Sequence, residues 1–257
     1  MIRNTSQPGL HVLVVDDNLV HRRMSQTLLA AAGYKVTLAE GGPQALAAFA
    51  SSPTDVVLLD VRMPGMDGFE VCQRLRALPA AKKVPILFLT DISDLDAPDR
   101  AIAVGGDDFL NKPINRVELL IRVRSLLRAR HHEGILDGLL AAARESIILL
   151  DGAGHVTKWS PPAADLFGWP AGEAVGRSFS RLVFTAAQHP TFDEALTGYL
   201  STGAGPLINQ RTEWSAVHHS GRPLPIELRM TAIHTANEVT FCAFIRDPGA
   251  PAAGGAA

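Results

Sequence analysis

The chain has 257 residues, enough for two domains of ordinary size, each able to bury its own core. Its 24 Lys and Arg nearly balance 26 Asp and Glu, so it has no strongly basic character and no nucleic acid is expected among its partners. Cys72 and Cys242 fit neither a disulfide framework nor a metal-ligand spacing, and no apolar run approaches the ~20 residues that span a bilayer. Residues 1–8 lack the apolar core of a signal peptide, and free thiols suit a reducing compartment. A cytoplasmic protein with no membrane partner is expected.

Residues 1–9 read as a flexible N-terminus. Residues 10–15 form a nearly continuous apolar run, broken by His11 and stopped by Asp16-Asp17-Asn18. Such a run predicts a parallel strand buried on both faces. Residues 21–32 predict a helix closed by Gly33. Residues 35–39 are a second strand, and residues 42–50 a helix opened by Pro43. Residues 56–59 are a third buried strand running into Asp60, followed by a helix over 68–78. A strand over 86–89 reaches Thr90, a helix covers 97–104, and a strand over 109–111 leads to Lys112-Pro113. The helix over 117–130 has a broad apolar face.

Five strands alternating with five helices predict an α/β domain over residues 10–130 with a doubly wound, five-stranded parallel sheet. Ligands of such sheets bind beyond the carboxyl ends of the strands. Asp16, Asp17, Asp60, Thr90 and Lys112 all fall at those ends. Three carboxylates in one cleft repel one another unless a cation joins them, and hard oxygen donors suit Mg²⁺. Lys112 adds a mobile positive charge and Thr90 a hydroxyl donor. A nucleophilic carboxylate, a metal, a cation and a donor are the parts that phosphoryl transfer uses. Taken singly, Asp16-Asp17 reads as a turn or cap, Thr90 as a cap and Lys112 as a solvated side chain. Their joint spacing favours the site.

Residues 131–143 read as a helical connector, weak at Gly134 and Gly138. Beyond it, strands are predicted over 147–150, 156–159, 210–218, 225–231 and 239–245, with turns at Asp151-Gly152 and Ser220-Gly221. Short helices are predicted between 162 and 200, most clearly over 192–200. Residues 249–257, rich in Gly, Ala and Pro, read as a disordered tail.

Val14-Val15-Asp16-Asp17-Asn18, residues 58–68, Phe88-Leu89-Thr90 and residues 105–113 resemble the receiver domain of two-component response regulators, which has a flavodoxin-like fold. The resemblance covers about residues 10–130, with Thr90 30 residues after Asp60 and Lys112 22 after Thr90. It implies that Asp60 is the phosphoacceptor and that Asp17 binds Mg²⁺ with Asp60, Asp16 assisting partly through water. The backbone carbonyl of Arg62 is the implied third protein ligand. Thr90 and Lys112 would hold phosphoryl oxygens, Phe109 would be the aromatic switch, and Lys112-Pro113 would be cis. Asp108 and Arg122 stand as in receivers that dimerise through the fourth helix, fifth strand and last helix. Two departures stand out: Asp91 replaces the small residue usual after Thr90, and Phe109 replaces a Tyr.

Residues 147–156, 159–169, 173–176, 199–203, 219–228 and 244–247 resemble a PAS domain, which implies an α+β domain with an antiparallel sheet over 144–248. Ser160 stands where Asn often follows the Trp, so one turn contact is expected to weaken. The PAS ligand stays unknown. A cysteinyl-flavin is disfavoured because neither Cys72 nor Cys242 lies in the required motif. Haem is disfavoured because the ligand position falls on Phe192, with His189 a turn earlier beside Pro190. His218 and His219 are expected on opposite faces of a strand. Phe192, Trp214 and Phe241 are expected to fill core.

The expected function is phosphorelay signalling: a response regulator phosphorylated on Asp60 by a sensor histidine kinase or phosphotransfer protein, and a homodimer. The PAS domain would bind a partner or dimerise, and no enzymatic activity is expected beyond phosphoryl acceptance and self-dephosphorylation. The alternatives are the input portion of a longer hybrid histidine kinase or cyclic-dinucleotide enzyme, or a PAS ligand sensor.

Overall fold

A computed structural model describes residues 9–91, 96–235 and 238–249. The expected flexible start up to residue 8 and the expected tail from residue 250 lie outside the described residues. The chain divides into two compact units, Met1–Gly134 and Ile135–Ala257.

In the first unit, β1 (His11–Val15), β2 (Lys35–Ala39), β3 (Val56–Asp60), β4 (Ile86–Asp91) and β5 (Asp108–Lys112) form a sheet in the order β2-β1-β3-β4-β5. Every pairing is parallel. Between the strands run α1 (Leu19–Ala31), α2 (Gly42–Ser51), α3 (Gly68–Arg76) and α4 (Ala97–Ala103), and α5 (Arg116–Ala142) follows β5 and runs past Gly134, the last residue of this unit. Alternate strand residues serve opposite faces. Val12, Val14, Leu58 and Leu89 pack with Leu29 of α1 and with Leu119 and Val123 of α5. Leu13, Val15, Leu59 and Phe88 pack with Phe49 of α2 and Leu75 of α3. Two covered faces explain why the central strands are continuously apolar. The polar exception, His11, is 4% exposed and meets Thr37 Oγ1 through Nε2 at 2.8 Å.

Among α1 to α5, three boundaries differ from the sequence expectation by more than one residue. Helix α1 begins at Leu19, because Asn18 Oδ1 accepts the N–H groups of Val20 and His21 as an N-cap. Helix α3 ends at Arg76, and Leu78 adopts an extended conformation before the 3-10 turn Pro79–Ala81, as a residue before proline prefers. Helix α5 continues unbroken through Gly134 and Gly138. Burial of Leu140 and a 3.0 Å ion pair between Asp137 and Lys158 Nζ offset the ~1 kcal/mol that each glycine costs a helix.

In the second unit, β6 (Ser146–Leu150), β7 (Val156–Trp159), β8 (Arg211–Val217), β9 (Pro223–His234) and β10 (Val239–Arg246) form an antiparallel sheet in the order β7-β6-β10-β9-β8. Helices α6 (Pro161–Phe167), α7 (Ala171–Ala174), α8 (Phe179–Val183) and α9 (His189–Thr202) lie between β7 and β8 in the chain. Strand β9 runs three residues past the expected end and pairs with β10 as far as His234 opposite Val239. Ser160 keeps the turn contact expected to weaken: its hydroxyl accepts Ile147 N–H at 2.9 Å and Ala163 N–H at 3.3 Å. His218 and His219 lie past the end of β8, so strand alternation does not apply to them. His218 Nδ1 meets Ser220 Oγ at 2.8 Å, and the His219 ring stands 3.8 Å from that of Trp169.

Aromatic rings fill the second core as expected. Phe192 is fully buried, its ring 5.3 Å from those of Phe179 and Phe184, and Trp214 stands 4.7 Å from Phe184. Phe241 is also fully buried. His189 begins α9 and engages the Phe184 carbonyl through Nε2 at 3.1 Å. Among the described residues, no helix is long and apolar enough to cross a membrane. Phe192→Ala is expected to destabilise this unit by about 3–5 kcal/mol, the range for truncating a buried Phe. All three tryptophans lie here, so tryptophan fluorescence during urea unfolding reads this unit alone and checks the value.

Candidate functional site

The strand register builds the cleft. Val15 pairs with Leu59, so Asp16 and Asp60 follow at one level, and Thr90 pairs with Asn111 just before Lys112. Asp16 is 1% exposed and Asp60 6%, whereas Asp17 is exposed. One carboxylate oxygen from each of the three lies within 4.8 Å of the others. Lys112 reaches back over the strand ends, placing Nζ 2.9 Å from Asp16 Oδ2 and 2.9 Å from Asp60 Oδ2.

Burial raises the Asp60 pKa above the ordinary carboxylate value, and the Asp16 charge adds to the rise. Hydrogen bonds from Lys112 and from the Arg62 backbone N–H work against it. Burial would lower the Lys112 pKa, but hydrogen bonds to Asp16 and Asp60 outweigh it and the net shift is upward. The ammonium is therefore kept charged by the carboxylates it bridges. The donor set consists of hard anionic oxygens whose charge one lysine does not balance, which suits Mg²⁺.

The other expected residues are placed as follows. Thr90 is 1% exposed, and its hydroxyl donates to Asn111 Oδ1 at 2.9 Å. Phe109 is half-buried, with the Arg122 guanidinium 5.9 Å from its ring. The Lys112-Pro113 peptide is cis. Asp91 ends β4 exposed, and it is not part of the carboxylate cluster. Asp108 and Arg122 pair within the chain, Nη1 lying 2.8 Å and 2.9 Å from the two carboxylate oxygens.

Two residues at the site have a role that the sequence does not reveal. Asn111 holds the Thr90 hydroxyl. Arg22, 9% exposed, donates from Nη1 to the carbonyls of Asp16 and Asp17, at 2.7 Å each. The available signal was an arginine one turn into the helix that follows Asp-Asp-Asn, where solvent is the ordinary expectation.

The family model described as response regulator receiver domain matches residues 12–124, and the PAS fold model matches residues 134–248. The chain carries a response regulator receiver domain followed by a PAS fold. The chain is 40% identical over 152 residues to Response regulator PleD of Caulobacter vibrioides, covering 56% of this chain and 33% of PleD. It is 39% identical over 143 residues to Response regulator MprA of Mycobacterium bovis, covering 56% of this chain and 60% of MprA. The chain thus spans less than two thirds of either relative. Among solved structures, chemotaxis protein CheY4 of Vibrio cholerae is 37% identical, covering 46% of this chain and 98% of that chain, at a TM-score of 0.44. The receiver domain of this chain is the phosphoryl-accepting module of phosphorelay signalling. Receiver domains bind Mg²⁺ through an acidic pocket, and Asp16, Asp17 and Asp60 form one here.

Gly68 fixes how closely α3 starts to the end of β3. A Cβ at Gly68 would lie 2.1 Å from the backbone oxygen of Asp60, so strand or helix would have to shift. Gly68→Ala is expected to destabilise the receiver by about 1–3 kcal/mol, the usual scale of overpacking, measured by urea unfolding followed by circular dichroism. Wild-type stability in the variant would show that the strand end yields freely.

Proposed function

We propose that Asp60 accepts a phosphoryl group from a sensor histidine kinase or phosphotransfer protein in the cytoplasm, and that a PAS domain over residues 144–248 binds a partner or dimerises. The observation that supports this best is the Lys112 ammonium bridging Asp16 and Asp60 beside the exposed Asp17. An Asp60 oxygen attacks the phosphorus and forms an O–P bond. The donor's bond to phosphorus breaks, and its electron pair leaves with the donor, an imidazole nitrogen in a phosphohistidine. Asp16, Asp17, Asp60 and the Arg62 carbonyl are the groups to hold Mg²⁺, which when bound offsets the carboxylate and phosphoryl charges. Lys112 follows the incoming phosphoryl oxygens. Thr90 exchanges Asn111 Oδ1 for a phosphoryl oxygen, and Phe109 moves into the space it leaves. Attack of water on the aspartyl phosphate breaks the same O–P bond and restores Asp60.

With Mg²⁺ and acetyl phosphate, the intact protein is expected to gain one phosphoryl group by mass spectrometry and Asp60→Asn none. The raised carboxyl pKa also gives a stability sign. A folded-state value above the unfolded one means that ionised Asp60 destabilises the fold at neutral pH, a penalty that fades as pH falls toward ~4. Asp60→Asn should therefore melt higher than wild type at pH 7.5 without metal, and the gap should close in acid. Undiminished labelling of Asp60→Asn would overturn the assignment.

A second reading is that the chain is the input portion of a longer hybrid histidine kinase or cyclic-dinucleotide enzyme. The 33% coverage of PleD favours it, and the full reading frame decides it.

We also propose a homodimer through α5. Val117 and Ile121, one turn apart, are 64% and 60% exposed. The neighbouring Asp108–Arg122 pair, half-exposed, is worth only ~0–1 kcal/mol, so apolar contact must supply the affinity. Sedimentation of the full chain should show a dimer strengthened by beryllium fluoride, and Ile121→Glu should remove that gain. Unchanged dimerisation of Ile121→Glu would assign the dimer to the PAS domain.

A further inference from the structure

Arg22 lies in the first turn of α1, yet its guanidinium turns back to the end of β1. Nothing local favours that placement. A cation near a helix N-terminus opposes the helix dipole, and a guanidinium withdrawn from water needs strong acceptors. Its acceptors are the carbonyls of two consecutive residues of the acid cluster, Asp16 and Asp17, both bonded to the one nitrogen Nη1 at 2.7 Å. Nη2 stands 4.0 Å from Glu40 Oε2.

The choice of carbonyls matters. The Asp16 carbonyl belongs to the peptide plane before the Asp17 Cα, and the Asp17 carbonyl to the plane after it. Fixing both planes fixes the backbone dihedrals of Asp17, and hence the direction in which its Cβ leaves the chain. Asp16 has side-chain restraints of its own: Lys112 holds one oxygen at 2.9 Å, and the Asn18 N–H donates to the other at 2.8 Å. Asp17 is the exposed member of the cluster, so its aim depends more on the backbone.

We infer that Arg22 is a positioning residue for the metal site, clamping the Asp16–Asp17 backbone so that the Asp17 carboxylate faces the cation. The inference rests on reading Asp16, Asp17 and Asp60 as the Mg²⁺ ligands. A competing effect has the opposite sign. Arg22 is also a positive charge near three carboxylates, and if charge were its whole contribution, removing it would tighten Mg²⁺ binding.

The sign is therefore the test. MgCl₂ is titrated calorimetrically into the full chain, with no phosphodonor. Arg22→Met should weaken Mg²⁺ binding by about tenfold, the lower end of the effect of losing a group that orients metal ligands. Arg22→Lys, whose ammonium has donors for both carbonyls, should recover most of that loss. The Mg²⁺ concentration that half-saturates acetyl phosphate labelling should rise in parallel. Unchanged or tighter binding in Arg22→Met overturns the inference. So does failure of both Arg22→Met and Arg22→Gln to fold, which would make the role purely structural. Asp17→Asn is the control for the underlying reading. If it leaves the Mg²⁺ heat unchanged, the acid cluster is not the metal site. If it removes the heat while Arg22→Met does not weaken it, only the role of Arg22 falls.

Discussion

The ammonium of Lys112 stands between two buried carboxylates, at 2.9 Å from each, and the rest of the acidic cleft is arranged around that contact. A buried carboxylate with no partner costs several kcal/mol, and here two of them face each other at the ends of adjacent strands. One cation serving both leaves the cluster short of positive charge. Burial raises the Asp60 pKa and the Asp16 charge adds to the rise, while the shortfall makes the site receptive to a divalent ion. The contact also needs three strands to end at one level. β1 supplies Asp16, β3 supplies Asp60 and β5 supplies Lys112, so the parallel register and the electrostatics are one constraint.

That constraint is why so much of the receiver domain was legible in sequence. Strands buried on both faces print as uninterrupted apolar runs, and β1, β3 and β4 could be placed to within a residue or two. The polar residue that ends each run had nowhere to go but the cleft. Helix limits were less legible, because they depend on side-chain hydrogen bonds. Asn18 starts α1 earlier than its apolar pattern does, and Leu140 and Asp137 carry α5 past two glycines. Arg22 and Asn111 were invisible for a related reason. Both are ordinary polar residues whose importance lies in which backbone carbonyl or hydroxyl they meet, and that is set only by the tertiary fold.

The PAS domain shows the opposite balance. Its strands are half-buried and three of its four helices are short, so order along the chain carries more information than any one element. The aromatic positions were the exception. Phe179, Phe184, Phe192 and Trp214 form one interlocked cluster, and residues at 192 and 214 were expected there from sequence. The two histidines at 218 and 219 misled because Val217 ends β8, and a chain that has left its sheet no longer alternates.

On the proposed role of Thr90, its bond to Asn111 bears on how firmly the receiver is held at rest. The acceptor is a neutral amide on an exposed residue, and a bond of that kind contributes about 0.5–1.5 kcal/mol net of water. In population terms this biases a two-state equilibrium by only about two- to twelvefold. A receiver restrained by that bond alone would sample the signalling arrangement without any phosphoryl group, and phosphorylation would enlarge a population already present. Its basal output would then be graded by the side chain at position 111, one residue before the lysine that holds the site together.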